Sequence, residues 1–262
     1  MTAIVRFIRS YAAVVVIATA TLSLPRPVFA QPAYLAADDA TRYMALGDSI
    51  PAGYKALPVT NGYPYLLYGD GVFDSIPHTL FCNAAVPGAT SRDFLMHQVT
   101  QATIPPAQGG FDPAYVTVTI GGNDLLSILA FIQTHPNPDD VLQFANGVLT
   151  QYGQNLAAAI AQLRVGLPNA KVFVANQYTI PQIEAIVPLT APLIAAFNNT
   201  VQQVVGLFPS NVYLVDVYSA FLGRLNLLLD ERPGVSPLET HLTTAGHKEM
   251  ARAFAEVIDR NR

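Results

Sequence analysis

The feature that most restricts the fold of this sequence is the alternation of short β-rich runs with helical patterns. Five runs rich in β-branched and aromatic residues predict strands: Tyr43–Leu46, Thr79–Cys82, Tyr115–Ile120, Lys171–Ala175 and Val212–Val217. Helical patterns lie between or after them, near Tyr63–Gly69, Ser91–Gln101, Asp139–Arg164, Pro192–Leu207 and Thr244–Arg260. Strands separated by helices need crossover connections, so this order predicts a three-layer α/β/α domain with a five-stranded, mainly parallel sheet.

The first 30 residues are expected to be a secretory signal peptide rather than part of this fold. Arg6 and Arg9 precede an apolar stretch over 11–24, and Val28-Phe29-Ala30 offers small residues where a signal peptidase cuts. The stretch is short for a membrane span, and an uncleaved N-terminal anchor is the alternative. We therefore expect cleavage near Ala30, a loose leader over 31–40, a single domain over 41–262 and a secreted or periplasmic protein.

Charge and cysteine content restrict the partners and the chemistry. The chain has a net charge of −4 and no basic run, which argues against a nucleic-acid partner. The single cysteine, Cys82, allows no internal disulfide and lies in a predicted strand, where a small core residue is expected. The histidines show no metal-ligand spacing, so no metal or other cofactor is expected. The oligomeric state is left open.

The residues that follow the predicted strands are the candidates for function, because ligands bind at the carboxyl ends of strands in open α/β sheets. Gly47-Asp48-Ser49 follows the first strand, the segment 83–90 with Gly88 follows the second, and Gly121-Gly122-Asn123-Asp124 follows the third. His241 precedes the last helix. Each of these segments taken alone is typical of a turn. Their common placement and consistent order indicate a site.

These residue types suit nucleophilic catalysis on an ester. A serine needs a base within hydrogen-bond reach, and donors for the oxyanion that forms when it attacks. His241 is the candidate base for Ser49. The backbone N–H groups of Ser49 and Gly88 and the neutral side-chain amide of Asn123 are candidate oxyanion donors.

Together these blocks resemble the SGNH, or GDSL-type, hydrolase superfamily. Its name refers to Ser in a "GDS" block, Gly in a second block, Asn in "GGND" and His near the C-terminus, and "HLTTAGH" fits the last block. No G-x-S-x-G occurs, which disfavours the α/β-hydrolase alternative. The resemblance implies a flavodoxin-like sheet and an esterase or lipase. Ser49 would be the nucleophile, His241 the general base and acid, and Ser49 N–H, Gly88 and Asn123 the oxyanion hole.

One position departs from the family pattern. An aspartate often precedes the histidine by three residues, but Leu238 stands there, and the nearest acid is Glu239. Either Glu239 orients the imidazole of His241, or a backbone carbonyl does and the site is a Ser–His dyad, which we favour. Asp216 and Asp230 are outside candidates for the orienting acid, and Asp216 is instead expected to cap a helix.

Three neighbouring polar residues are expected to be structural. We expect Asp48 to hold the turn around Ser49, Asp124 to start a helix or turn, and His247 to lie on the surface of the last helix.

Three apolar stretches bear on the substrate: 125–132, 180–197 and 222–230. They would line an acyl pocket or form a lid, and the alternative is that they are core helices and turns. We expect a small-molecule or lipid-like ester with a hydrophobic acyl group, with interfacial lipid contact. The alternatives are a carbohydrate O-deacetylase or an acyltransferase using the same site, and a non-catalytic binding module.

Overall fold

The computed structural model describes residues 40–228 and 240–262. Its five strands are all parallel: β1 Thr41–Gly47, β2 Thr79–Asn83, β3 Tyr115–Thr119, β4 Lys171–Ala175 and β5 Val212–Val215. Their order in the sheet is β2-β1-β3-β4-β5, the flavodoxin-like order, which confirms the predicted fold class. The predicted signal peptide, nearly all of the leader, and Leu238 and Glu239 lie outside the described residues.

Helices cover the sheet. The first two are α1 Tyr63–Gly69 and α2, which begins with Ser91–Asp93, continues as a π-helical segment Phe94–Val99 and ends with Thr100–Ala102. The others are α3 Gly122–Thr134, α4 Pro138–Gly166, α5 Pro181–Glu184, α6 Thr190–Gly206, α7 Val217–Phe221 and α8 Thr244–Arg260. α4 packs against α2, α3 and α6, whereas α8 packs against α1 and α7. Within the described chain, no helix has the length and apolar character needed to cross a bilayer.

All five helical patterns correspond to helices of the structure, but α3 was predicted only as a turn or helix start followed by an apolar stretch. The paired glycines Gly121 and Gly122 disfavour a helix in isolation. In the folded chain Gly121 serves as the N-cap with a φ of +115°, and a Cβ there would lie 2.6 Å from the Tyr152 ring. The glycine is therefore required by packing, and the apolar stretch 125–132 is a helix with Leu125 and Ile128 in the core.

Aromatic side chains hold neighbouring strands in register. The Tyr43 ring on β1 stacks against Phe81 on β2 at 5.0 Å and against Phe73 at 4.0 Å. Phe173 on β4 stacks against Tyr213 on β5 at 5.1 Å. Such cross-strand pairs stabilise a sheet, and they leave the carboxyl ends of the strands free to carry polar loops.

Cys82 lies in β2, as predicted, and is half-buried against the core. Burial raises the pKa of its thiol, which suits a packing role.

Candidate active site

The turn that presents Ser49 begins at the last residue of β1. Gly47 has a φ of +132°, and a Cβ there would lie 1.9 Å from the carbonyl oxygen of Thr119 on β3. Only glycine fits this close approach between two strand ends. Asp48 then donates its N–H to the same oxygen at 3.2 Å, and the chain turns so that Ser49 is half-buried at the carboxyl edge of the sheet.

His241 reaches Ser49 from the loop before α8. Its Nε2 lies 2.9 Å from Ser49 Oγ, within the range for proton transfer between a nucleophile and its base. Thr243 fixes the end of this loop, because its N–H donates to Leu227 O at 3.0 Å and its Oγ1 caps α8 by accepting from Gly246 N–H at 3.1 Å. The structure thus brings together two predicted residues that are far apart in the chain.

Tyr54 packs over the imidazole. Its ring centroid lies 4.5 Å from that of His241, and the two planes are inclined by 59°. The backbone of Tyr54 is held on both sides, since its N–H donates to Ser49 O at 3.0 Å and its carbonyl accepts from His247 Nε2 at 3.2 Å. Tyr54 was not among the predicted site residues, although it lies only five positions after Ser49.

Two backbone donors are free at this edge. In the part of the chain that the structure describes, the N–H groups of Ser49 and Gly88 donate to no protein acceptor. Gly88 has a φ of +84° in an exposed turn that begins at Val86. The N–H of Val86 donates to Gly47 O at 3.0 Å, so this turn is tied to the end of β1 beside Ser49.

Asn123 lies in the first turn of α3, next to the Gly88 turn. Its Nδ2 donates to Ala89 O at 2.9 Å, which uses one of its two N–H groups and leaves the other for a ligand. Ser49, Gly88, Asn123 and His241 therefore all lie at the carboxyl edge of the sheet. Ser49 contacts His241 directly, and Asn123 binds Ala89, the residue after Gly88.

Asp48 is buried, and its carboxylate holds the turn as expected. Its Oδ1 accepts from Ile50 N–H at 3.0 Å. Burial raises the pKa of the carboxyl to about 7, whereas the Ile50 hydrogen bond and the nearby His241 oppose this rise. Asp124 lies in the first turn of α3, also as expected, and binds Ser91 on α2.

His247 is fully buried, so the prediction that it lies on the surface of the last helix is wrong. Its Nδ1 accepts from Tyr63 N–H at 3.4 Å, and its Nε2 donates to Tyr54 O. Burial lowers its pKa to about 4, and the hydrogen bond to Tyr54 opposes this change. The helical period contained the signal, because His247 precedes the buried Met250 by three positions and shares its face.

Gln98 is a second residue of the site, besides Tyr54, that was not among the predicted site residues. Gln98 in the π-helical segment of α2 is buried and binds both backbone polar groups of Gly47. A glutamine in a helical pattern is typical of a solvent-facing position, although Gln98 follows the buried Phe94 by four positions and so shares its helix face.

The candidate orienting acids Glu239 and Asp230, and Leu238, lie outside the described residues, so triad or dyad stays a prediction. Asp216 does cap a helix: its Oδ1 accepts from Ser219 N–H at 3.1 Å at the start of α7. Asn176 also donates to this carboxylate, at 2.8 Å.

Solved structures share this fold over most of the chain. A lipase from a goat rumen metagenome is 18% identical with a TM-score of 0.63, covering 83% of this chain and 97% of that one. Phospholipase A1 from Streptomyces albidoflavus is 19% identical with a TM-score of 0.63, covering 83% and 99%. A mutant acetyl-xylooligosaccharide esterase from Geobacillus stearothermophilus is 20% identical with a TM-score of 0.62, covering 84% and 95%.

Sequence comparison assigns the family directly. No curated protein sequence matches the chain at a significant level. The family model of the GDSL-like lipases and acylhydrolases, however, matches residues 45–249, which include all four blocks of the site. The chain therefore belongs to the GDSL-like lipase/acylhydrolase family and is a carboxylic ester hydrolase.

Proposed function

We propose that this protein hydrolyses carboxylic esters through an acyl-enzyme formed on Ser49. The observation that carries the proposal is the 2.9 Å contact between Ser49 Oγ and His241 Nε2. With Nε2 unprotonated, the hydroxyl donates its proton to the imidazole as the oxygen attacks. A structural serine in a turn has no need of an imidazole at this distance.

The reaction runs in two halves. Ser49 Oγ forms a bond to the acyl carbon while its proton passes to Nε2, and negative charge develops on the carbonyl oxygen. The free N–H groups of Ser49 and Gly88 and the second N–H of Asn123 Nδ2 are the donors for this oxyanion. The tetrahedral species then expels the alcohol, which takes the proton from Nε2. In the second half Nε2 takes a proton from water as the water oxygen bonds to the acyl carbon. The bond between this carbon and Ser49 Oγ then breaks, and Nε2 returns the proton to Oγ, which releases the acid and restores Ser49.

Exposed apolar side chains beside these residues support a hydrophobic acyl group. Tyr54, which lies over His241, is 42% exposed, and Val86, tied to Gly47, is 52% exposed. Leu57 on the same loop as Tyr54 is 57% exposed. An apolar rim around a nucleophile favours substrates that carry an acyl chain, and contact with the surface of a lipid aggregate.

Tyr54 also supports a second candidate, O-deacetylation of a carbohydrate, because an exposed aromatic ring offers a flat apolar face to a sugar. The structural neighbour that acts on acetyl-xylooligosaccharides is in keeping with it. Acyl transfer through the same acyl-enzyme is a further alternative if an acceptor alcohol replaces water.

The experiment compares p-nitrophenyl acetate, butyrate, octanoate and palmitate as substrates for the wild type and Ser49→Ala. We expect Ser49-dependent hydrolysis with a preference for acyl chains longer than acetyl. The matched control is Ser127→Ala, an exposed serine on α3. Hydrolysis by the Ser49→Ala variant would show that Ser49 is not the nucleophile. A strict preference for the acetate ester would favour the deacetylase.

We further propose that the protein is exported, on the basis of the N-terminal 30 residues. The N-terminus of the protein recovered from cells tests this: a mature chain beginning at Gln31 supports export, and an intact Met1 argues for an uncleaved anchor.

A further inference from the structure

Ser91 is fully buried and binds the Asp124 carboxylate through both of its donors. The Ser91 N–H donates to Asp124 Oδ2 at 2.8 Å, and the Ser91 hydroxyl donates to Asp124 Oδ1 at 2.6 Å. Asn155 on α4 donates its Nδ2 to Ser91 Oγ at 3.0 Å, so the hydroxyl both donates and accepts. Gln151 in turn donates to Asn155 Oδ1 at 2.9 Å. Every member of this network has a partner.

The pair joins the two segments that carry candidate oxyanion donors. Ser91 is the first residue of α2 and follows Gly88 by three positions, whereas Asp124 directly follows Asn123 on α3. A third hydrogen bond between the same segments runs from Asn123 Nδ2 to Ala89 O at 2.9 Å. Two bonds to one carboxyl group fix direction as well as distance.

The Gly88 turn depends on these hydrogen bonds for its position, because few atoms pack against it. Val86, Pro87 and Gly88 are all exposed, and a Cβ built on Gly88 would meet no atom within 4 Å. Burial begins only at Ala89 and Ser91. The position of the Gly88 N–H is therefore set by the two ends of the turn, where Val86 N–H binds Gly47 O and Ser91 binds Asp124.

We propose that Asp124 and Ser91 act as a positioning pair that aligns the Gly88 N–H with the Asn123 side chain in the oxyanion hole. This inference rests on the proposed function and deepens it. Oxyanion donors are effective only when they are held in place before the charge develops, and a misplacement of about 1 Å costs on the order of 10²-fold in rate. The pair touches neither the substrate nor Ser49, so it acts on the transition state through Asn123 and Gly88.

The test is a double-mutant cycle read by steady-state kinetics on p-nitrophenyl butyrate. Ser91→Ala and Asp124→Asn are each made in the wild type and in Asn123→Ala. In the wild-type background we expect kcat to fall about 10- to 100-fold with KM changed by less than about twofold. In the Asn123→Ala background the same substitutions should lower kcat at least about threefold less than in the wild type, because Asn123 is absent and only the Gly88 N–H can still be misaligned.

Two controls separate alignment from a loss of folding. Thermal unfolding reports the folded fraction of each variant, and labelling of Ser49 by a serine-directed phosphonate reports the Ser49–His241 pair. Ser127→Ala, on the exposed side of α3, should leave kcat unchanged. If Asp124→Asn does not fold, Ser91→Ala, which removes a single oxygen, carries the test.

Equal losses in both backgrounds, or a rise in KM without a fall in kcat, would overturn the pair as an alignment device while leaving the proposed function intact. Absence of Ser49-dependent hydrolysis in the wild type would overturn both.

Discussion

Gln98 and Gly47 exchange two hydrogen bonds at the end of the strand that leads to Ser49. Gly47 N–H donates to Gln98 Oε1 at 2.7 Å, and Gln98 Nε2 donates to Gly47 O at 2.8 Å. Gln98 lies in the π-helical segment Phe94–Val99, and such segments often occur at functional sites. The carboxamide satisfies the backbone of a residue whose positive φ ends the strand ladder.

Replacing this carboxamide should therefore destabilise the fold. Gln98→Leu keeps the volume but leaves the buried Gly47 N–H without an acceptor, at about 1–3 kcal/mol, whereas Gly47 O retains its hydrogen bond from Val86 N–H. We expect a lower urea midpoint with an unchanged m-value. Gln101→Leu, at an exposed position of the same helix, is the control and should have little effect. Equal stability of the Gln98 and Gln101 variants would show that the two bonds contribute nothing.

The Asn123 side chain should act mainly on the transition state. Asn123→Ala is expected to lower kcat by about 10²–10³ with little change in KM, since it removes a donor to the oxyanion. Initial rates over a range of ester concentrations separate the two constants. A rise in KM at constant kcat would make Asn123 a binder of the ground state instead.

Asp48 should make the folded state less stable as the pH rises. Burial raises the pKa of this carboxyl from 3.8 to about 7, so between these values the folded chain binds more protons than the unfolded chain. Stability from this group is present at low pH and is lost as the pH rises toward 7. The Tm of Asp48→Asn should show a weaker decline over this range than that of the wild type. An equal decline of Tm with pH in the wild type and in Asp48→Asn would show that the buried Asp48 carboxyl does not cause this decline.

His247 should make the folded state less stable as the pH falls. Burial lowers its pKa from 6.5 to about 4, so between these values the unfolded chain binds more protons. Stability is therefore lost as the pH falls from about 6.5 toward 4. His247→Asn, which retains one donor and one acceptor, should flatten this loss in Tm measurements. His97→Asn, at an exposed histidine of α2, is the matched control and should leave the profile as it is.

The orienting partner of His241 is tested by Glu239→Gln. If a backbone carbonyl orients the imidazole, kcat should stay within about tenfold of the wild type, well short of the ~10⁴ lost when a buried triad acid is neutralised. His241→Ala should be severe in either case. A Glu239→Gln variant as inactive as His241→Ala would establish the triad.

The predicted part of the site came from patterns that are local in the chain. Alternation of strands and helices predicts the parallel sheet, and the sheet predicts that Ser49, Gly88 and Asn123 lie at one edge, since each follows a strand directly. Gly47 is also predictable from local sequence, because a glycine at the end of a strand indicates a positive φ that other residues avoid. His241 was selected with them by its position before the last helix.

Local sequence patterns were thus sufficient to predict the sheet, its carboxyl edge as the place of the site, and the four residues that lie there. The packing of the elements sets which polar side chains support that edge. Gln98, His247, Asp124 and Ser91 have hydrogen-bond partners from 33 to 193 residues away, and a helical period shows which face is buried but not what it meets. A buried polar group is stable only when a partner lies opposite it, and that partner is set by the packing of whole elements rather than by neighbours in the chain.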